Sequence, residues 1–292
     1  MTSQRAFLIA FAFFAGTILF SLSGAFLLNY APAQASAALG WIQGRLGLGL
    51  DMLIKLPTWI NMVMLAVVAL ALYWRELGPA RSLAFLAIGS VVGAGAELLG
   101  TTTGFPFGPY SYGEFLGAKI AGHVPWLIPI SWYAISVVSL DLARRMHLGR
   151  LGRILMTAVF MVLWDVALDP AMNHAFPFWK YDVGGVFFGM PLVNWFGWFL
   201  TSAVIALGYE LMGGLRAAPD AFVRRWAPVF YAVNTLFSVG ICFAYRAPLA
   251  GLAGLAGLAV AMALVYWPRR AATRPSGSSA PLRSRPDAVA AP

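Results

Sequence analysis

Two aspartates lie four residues apart inside a stretch that otherwise has the composition of a membrane span. Asp165 and Asp169 occur in the sequence VLWDVALDPAMNH, residues 162–174. A carboxylate at the middle of a membrane helix costs about 2.5 kcal/mol or more. Residues four apart on a helix share one face, so the chain holds two costly groups side by side. Retention of such groups in hydrocarbon indicates a functional site.

A third carboxyl group, that of Glu97, is expected at a similar depth. Glu97 ends one apolar segment as the aspartate pair ends another, so the three groups can converge on one site. The alternative is structural. In that case each carboxylate pairs with free backbone N–H groups or with a lysine of the neighbouring loops, such as Lys119 or Lys180.

Carboxyl groups in an apolar environment favour acid–base chemistry. Burial disfavours the charged form, and two groups a turn apart disfavour double ionisation. One is then a neutral acid, which can protonate an alkene in a dry cavity, and aromatic faces stabilise the resulting carbocation. Water then adds and the anionic partner takes its proton. Asp165 is predicted to be the donor because it lies deeper, and Asp169 the base.

Other chemistries lack the residues that they require. The chain has three histidines, whereas a membrane di-iron centre needs many histidines to hold its iron. Cys242 is the single cysteine, which excludes a disulfide within the chain and gives no thiolate metal cluster. No phosphate-binding loop of the nucleotide-hydrolysing kind is present. We therefore predict a reaction without a cofactor or a metal.

The composition predicts that a polytopic membrane protein positions these residues. The 292 residues are 60% hydrophobic and 11% charged, whereas soluble domains have about 25% charged residues. The net charge of +9 describes the loops and the C-terminal tail. Basic residues beside apolar spans set orientation and meet anionic lipid, so this charge does not indicate nucleic acid.

Eight apolar segments have about the 20 residues needed to cross a bilayer. They are residues 6–28, 56–74, 82–99, 124–142, 154–172, 192–213, 227–245 and 248–267. We predict an all-α, polytopic transmembrane helix bundle over residues 1–270 and a disordered basic tail over residues 271–292. The alternative is seven spans, since the AQASA stretch after the first segment resembles a signal-peptide cleavage site.

The basic residues predict the orientation of the bundle. Most arginines, including those between residues 144 and 153 and those of the tail, fall on one side when both termini are placed in the cytoplasm. By the positive-inside rule, both termini are predicted to be cytoplasmic, in a multi-pass protein of the inner cell membrane. The acidic residues then lie near the outer face.

Two outer loops, residues 97–125 and 173–191, are unusually rich in Gly, Pro and aromatic residues. Irregular backbone at membrane depth is tolerated only where protein or a cavity covers it, so we predict that these loops wall a pocket. The alternative is an interfacial aromatic belt. Asn194 is predicted to orient water or hold a carboxyl group, or else to cap a helix. The predicted aromatic lining is Phe105, Phe107, Tyr110, Tyr112, Trp132, Trp164, Trp179, Trp195 and Trp198.

Motifs at these residues resemble the CruF-type carotenoid biosynthesis proteins. They are E-x₂-G-x₃-G-F-P-F-G-x-Y-x-Y from Glu97 to Tyr112, VP-x₃-P-x₂-W from Val124 to Trp132, WDVALDP at 164–170, and W-x₅-G-x₃-G-x-P-x₂-N-x₂-GW from Trp179 to Trp198. The resemblance implies a membrane carotenoid 1,2-hydratase, which adds water across the terminal C1=C2 bond of an acyclic end group. Lycopene, γ-carotene and, in archaeal relatives, bisanhydrobacterioruberin are the substrates that it implies.

The expected partners follow from this resemblance. They are a carotenoid within the bilayer, water as co-substrate, and other enzymes of carotenoid biosynthesis. A different class of function remains open, because a non-catalytic transporter or scaffold for carotenoids or lipids could use the same acidic residues for packing or proton coupling.

Overall fold

The prediction of an all-α polytopic bundle is confirmed by the computed structural model, which describes residues 2–216 and 218–266. Its helices are α1 (Thr2–Tyr30), α2 (Pro32–Leu46), α3 (Leu50–Thr103), α4 (Leu127–Arg144), α5 (Arg150–Asp169), α6 (Val193–Leu211), α7 (Ala221–Ala244) and α8 (Pro248–Tyr266). Six helices of the described part are long and apolar enough to cross a membrane. The predicted tail, residues 271–292, lies outside the described residues.

Helix α3 contains two of the predicted segments, 56–74 and 82–99, joined without a loop. Gly78 has φ 72° and ψ 169° and interrupts the helical backbone there. That conformation is essentially restricted to glycine. Pro79 follows, and the first position of a helix tolerates proline because the N–H there has no partner in the helix. The glycine and the proline therefore separate residues 50–77 from residues 79–103.

Helix α2 was not among the predicted spans. Its alanine-rich sequence includes the AQASA stretch, and its backbone leaves the helical conformation at both ends, at Ala31 and at Gly47. Of the side chains of α2, only Ala35 is buried. A helix of 15 residues is too short to cross a bilayer, which takes about 20. It packs against α1 as a surface element.

Helix α4 lies at the centre of the bundle, in contact with α3, α5, α6 and α7. Helix α8 packs against α5 and α7. A Cβ atom at Gly254 would lie 2.5 Å from the Cβ of Ala167, and one at Gly257 would lie 3.0 Å from the carbonyl of Leu163. These glycines let α8 approach α5 closely and so fix the helix that carries the aspartates.

A two-stranded antiparallel sheet joins the two loops that are rich in aromatic residues. Strand β1 (Tyr110–Tyr112) pairs with β4 (Trp179–Tyr181), so that Tyr110 lies opposite Tyr181 and Tyr112 opposite Trp179. A second pair, β2 (Lys119–Ile120) and β3 (Val124–Pro125), precedes α4. After α5, a π-helical turn covers Pro170–Ala175.

A buried ionic cluster lies at the opposite end of the bundle. Arg144 donates to Glu76 at 2.5 Å and also binds Asp141, while Arg145 donates to Asp141 at 2.9 Å. Asp141 is fully buried, so both arginines are needed to compensate its charge. Because Glu76 lies two residues before the break at Gly78, the cluster ties that break to the end of α4.

Candidate functional site

A cavity of ≈ 460 Å³ opens at the end of the bundle where the sheet of β1 and β4 lies. The sequence predicts a pocket walled by the two outer loops, residues 97–125 and 173–191. The cavity is wider, because α1, α2, the first half of α3 and α7 also line it. It has two parts. The acid end contains Glu97 and Asp169. The apolar arm lies between residues 20–28, 35–42 and 50–65.

Glu97 is held by hydrogen bonds from both the sheet and α4. The Tyr110 and Tyr112 hydroxyls donate to its Oε2, the latter at 2.8 Å. The Trp132 indole Nε1 donates to its Oε1 at 3.0 Å. The side chain is 4% exposed and faces the cavity. Hydrogen bonds from three donors stabilise a buried carboxylate and fix its orientation.

Asp169 faces the same cavity with its own set of donors. Tyr181 donates to its Oδ2 at 2.5 Å, and Asn194 donates to that oxygen at 2.9 Å. Asn173 donates to its Oδ1 at 3.0 Å. Asn173 belongs to the π-helical turn, so the widened backbone after Pro170 still presents the amide to the preceding turn.

Asp165 is linked to Asp169 through the amide of Asn194. The amide nitrogen lies 3.1 Å from Asp165 Oδ2, and the other aspartate oxygen Oδ1 has no hydrogen-bond partner among the described residues. Two full negative charges on neighbouring turns without water are unfavourable. One amide shared by both carboxyl groups is therefore suited to a pair that holds one proton between them.

The sheet presents four aromatic side chains to the cavity. Alternate residues of a strand face one side, and Tyr110, Tyr112, Trp179 and Tyr181 all line the cavity. The rings of Tyr110 and Tyr181 lie 5.9 Å apart across the strands. These two tyrosines donate to Glu97 and Asp169 respectively, so the sheet connects the two carboxyl groups.

These tyrosine hydroxyls remain protonated. Burial and the neighbouring charge of Glu97 raise the pKa of Tyr110 and that of Tyr112 well above the usual value. Burial, together with the charges of Asp169 and Asp165, does the same to the pKa of Tyr181. The tyrosines therefore serve as stable hydrogen-bond donors rather than as acids.

Three tryptophans form the wall that faces the sheet. The rings of Trp132 and Trp198 stack at 4.2 Å, and Trp164 meets Trp198 edge-on at 5.7 Å. All three line the cavity, as does Phe107, which lies 6.2 Å from Trp132. Their π faces supply the kind of surface that stabilises a cation without water.

Eight of the ten residues predicted to bind substrate line the cavity. They are Phe107, Tyr110, Tyr112, Trp132, Trp164, Trp179, Asn194 and Trp198. Phe105 does not. Phe105 directly follows Gly104, the residue that ends α3, and the Phe105 side chain is 54% exposed. Trp195 lies about 100° around α6 from Asn194 and packs on Phe187, with ring centroids 4.9 Å apart.

The expectation that all three acids line the pocket is wrong for Asp165. On α5, Trp164 and Leu168 lie on the cavity side, together with Met172 in the turn that follows. Asp165 is absent from this lining, and its carboxyl group accepts a hydrogen bond from Asn194 of α6. A direct proton transfer from Asp165 to a bound molecule, as predicted from its depth, has no support from this placement.

The two alternatives for the loops and for Asn194 are also decided by position. The aromatic residues of the sheet face the cavity, which favours a pocket wall over an interfacial belt. Asn194 donates to both aspartates, and α6 has no side-chain cap within the described chain.

In the loops, Glu114 pairs with Lys119 at 2.8 Å, and this hydrogen bond lowers the pKa of Glu114. Lys119 therefore pairs with an exposed carboxylate of the loop and not with a buried carboxyl group of the site.

Tyr181, which donates to Asp169, is one of the cavity residues that the prediction missed. A sequence signal was present, because W-x-Y at 179–181 repeats the alternation of Y-x-Y at 110–112. Two such strands can pair with their aromatic residues on one face. The long separation of the strands in the sequence concealed that pairing.

Comparison with known proteins identifies the family. A family model described as carotenoid biosynthesis protein matches residues 58–263. The chain belongs to this family. The predicted resemblance is thereby confirmed, and the matched residues of this carotenoid biosynthesis protein include Glu97, Asp165 and Asp169.

A curated relative is bisanhydrobacterioruberin hydratase of Haloarcula japonica, which is 33% identical over 173 residues. The match covers 53% of this carotenoid biosynthesis protein and 57% of the relative, so it spans little more than half the length of either protein. No solved structure matches the chain.

Proposed function

We propose that this protein is a carotenoid hydratase, which adds water across the terminal C1=C2 bond of an acyclic end group to give a tertiary alcohol. The observation that carries the proposal is the pair of buried carboxyl groups, Glu97 and Asp169, that face an aromatic cavity inside a membrane bundle. The family and the hydratase name of the Haloarcula relative support the substrate class and the reaction.

Protonation of the alkene is assigned to Asp169. The Asp165–Asp169 pair holds one proton, because double ionisation is disfavoured in this buried position. Of the two, Asp169 lines the cavity and can deliver that proton to C2. The positive charge then develops at C1, where three carbon substituents stabilise it. The indole faces of the tryptophan wall lower the free energy of this cation further.

Water completes the reaction. Its oxygen forms a bond to C1, and its proton passes to a carboxylate, which is the general-base step. We assign that base to Glu97, because three donors fix it as a carboxylate facing the cavity. The reaction consumes one proton and releases one. The catalyst is restored when the proton on Glu97 returns to the aspartate pair.

Pigment analysis tests this proposal. The chain is expressed in cells that accumulate lycopene, and extracted pigments are analysed by mass spectrometry. We expect a product heavier by one or two water molecules, with the label in its hydroxyl groups when the cells grow in water containing heavy oxygen. An unchanged pigment mass, in cells where the protein is inserted and abundant, would refute hydration. A change of pigment location alone would indicate transport.

A further inference from the structure

The cavity continues beyond the acid end into the apolar arm between α1, α2 and the first half of α3. In the proposed reaction the end group is bound at the acid end, and the arm extends the same cavity from there. Four polar side chains line the arm, those of Ser21, Ser23, Thr58 and Asn61, and two of them are bound within the protein. Thr58 donates to the carbonyl of Ile54 at 2.7 Å, and Asn61 donates to Thr17 at 3.1 Å. The arm therefore offers mainly apolar contacts.

We propose that the apolar arm binds the polyene chain that adjoins the reacting end group, and that its width determines which chains are accepted. This inference rests on the proposed function for the identity of the chain. A polyene is linear and rigid, so once its end group is placed, the adjoining carbons must follow a straight apolar path. The arm provides a continuous apolar path from the acid end, lined by residues of α1, α2 and the first half of α3.

Selection in this arm depends on shape. Lipid tails are as apolar as the arm, so transfer of a carotenoid from the bilayer gains little from the hydrophobic effect. Packing contacts and the absence of steric overlap then decide occupancy. A side chain that fills the arm should exclude the substrate even when the acid end is unchanged.

Gly24 on α1 is the position where such a side chain fits. It lines the arm, and a Cβ atom there would meet no protein atom within 4 Å. The first atom of a new side chain therefore meets open space, and a tryptophan at this position adds a large apolar group at the wall of the arm. Gly16 on the same helix also has no atom within 4 Å of an added Cβ, but it does not line the described cavity. It provides the matched control.

Helix α2 covers the arm and gives a second, independent position. Ala35, Leu39 and Ile42 face the cavity at helical spacing, so one side of α2 covers the arm. Ala37 and Ala38 are both exposed, and Ala38 lines the arm whereas Ala37 does not. Ala38→Trp and Ala37→Trp therefore form a second matched pair on a different helix.

The test measures lycopene that copurifies with the protein in an Asp169→Asn background, so that binding is read without turnover. We expect Gly24→Trp to lower bound lycopene by about tenfold or more, the effect of overpacking a filled site, while Gly16→Trp retains it. If Gly24→Trp fails to give a monodisperse protein, Ala38→Trp against Ala37→Trp decides. Equal lycopene in either well-folded matched pair would overturn the proposal.

The test separates this inference from the proposed function. A wild-type protein that binds lycopene and leaves its mass unchanged contradicts the hydratase, and the Gly24→Trp comparison still tests the arm. Conversely, equal rates of lycopene hydration by the wild-type protein and by Gly24→Trp would support the hydratase and overturn the proposal for the arm. In the hydration assay we expect Gly24→Trp to lower lycopene conversion, while Gly16→Trp, outside the cavity lining, retains it.

Discussion

Replacing Asp169 by asparagine tests the chemistry most directly, because the new side chain has nearly the same size and cannot donate an acidic proton. Loss of a general acid typically lowers the rate about 10²–10⁴-fold, which is about 3–5 kcal/mol in the activation barrier. The structure also gives the cost in stability. The new amide can accept from Tyr181 and Asn194 with its oxygen, but its NH₂ then meets the donating amide of Asn173.

That conflict costs little compared with the catalytic loss. Asn173 can rotate its amide to accept a hydrogen bond, and it then gives up the bond that it donates to the carbonyl of Phe188 at 3.2 Å. One lost hydrogen bond costs about 0.5–1.5 kcal/mol. We therefore expect Asp169→Asn to insert at near-normal abundance and to retain pigment while hydration falls by two orders of magnitude or more.

The assay is the rate of hydrated product formation per unit of inserted protein, with Asp165→Asn as the comparison. Because Asp165 does not face the cavity in the described structure, its replacement should cost less activity than replacement of Asp169. Near-normal hydration by Asp169→Asn would refute the assignment of the proton donor. A complete loss in Asp165→Asn with activity retained in Asp169→Asn would restore the role predicted from depth alone.

Three further substitutions test the surrounding groups. Glu97→Gln should lower hydration about 10²-fold, because an amide cannot act as the base; an unchanged rate per unit of protein would exclude Glu97 as the base. Tyr181→Phe removes one donor to Asp169 and should lower the hydration rate about tenfold, which corresponds to about 1.4 kcal/mol. The amount of inserted protein should not change. Asn194→Ala should lower turnover more than abundance, and equal losses of both would favour a purely structural role.

The bundle and the acidic residues could be predicted from the sequence because both signals are local. A run of apolar residues long enough to cross a bilayer indicates a span wherever it packs, and a helix of the described structure covers most of each predicted segment. Asp165 and Asp169 share a helix face by spacing alone. The orientation of the bundle, with both termini cytoplasmic, remains a prediction.

The outline of the cavity could not be predicted, because it depends on contacts between distant parts of the chain. Helix α2 has neither a span-length apolar run nor a strong polar face, so its role as a wall of the arm becomes visible only in three dimensions. The orientation of the Asp165 side chain could not be predicted for a similar reason. A helix face spans a wide arc, and the packing of α6 decides which part of that arc meets the cavity.

The sheet of β1 and β4 explains how loops can occupy a site next to hydrocarbon. Its cross-strand pairing satisfies backbone groups that lipid would leave without partners, and its alternation turns the aromatic residues inward while Ser111 and Lys180 are exposed. Helices supply the carboxyl groups, and the sheet supplies tyrosine donors whose raised pKa values keep them protonated. Three hydrogen bonds to each cavity-facing carboxyl group therefore offset the loss of hydration that burial of these groups entails.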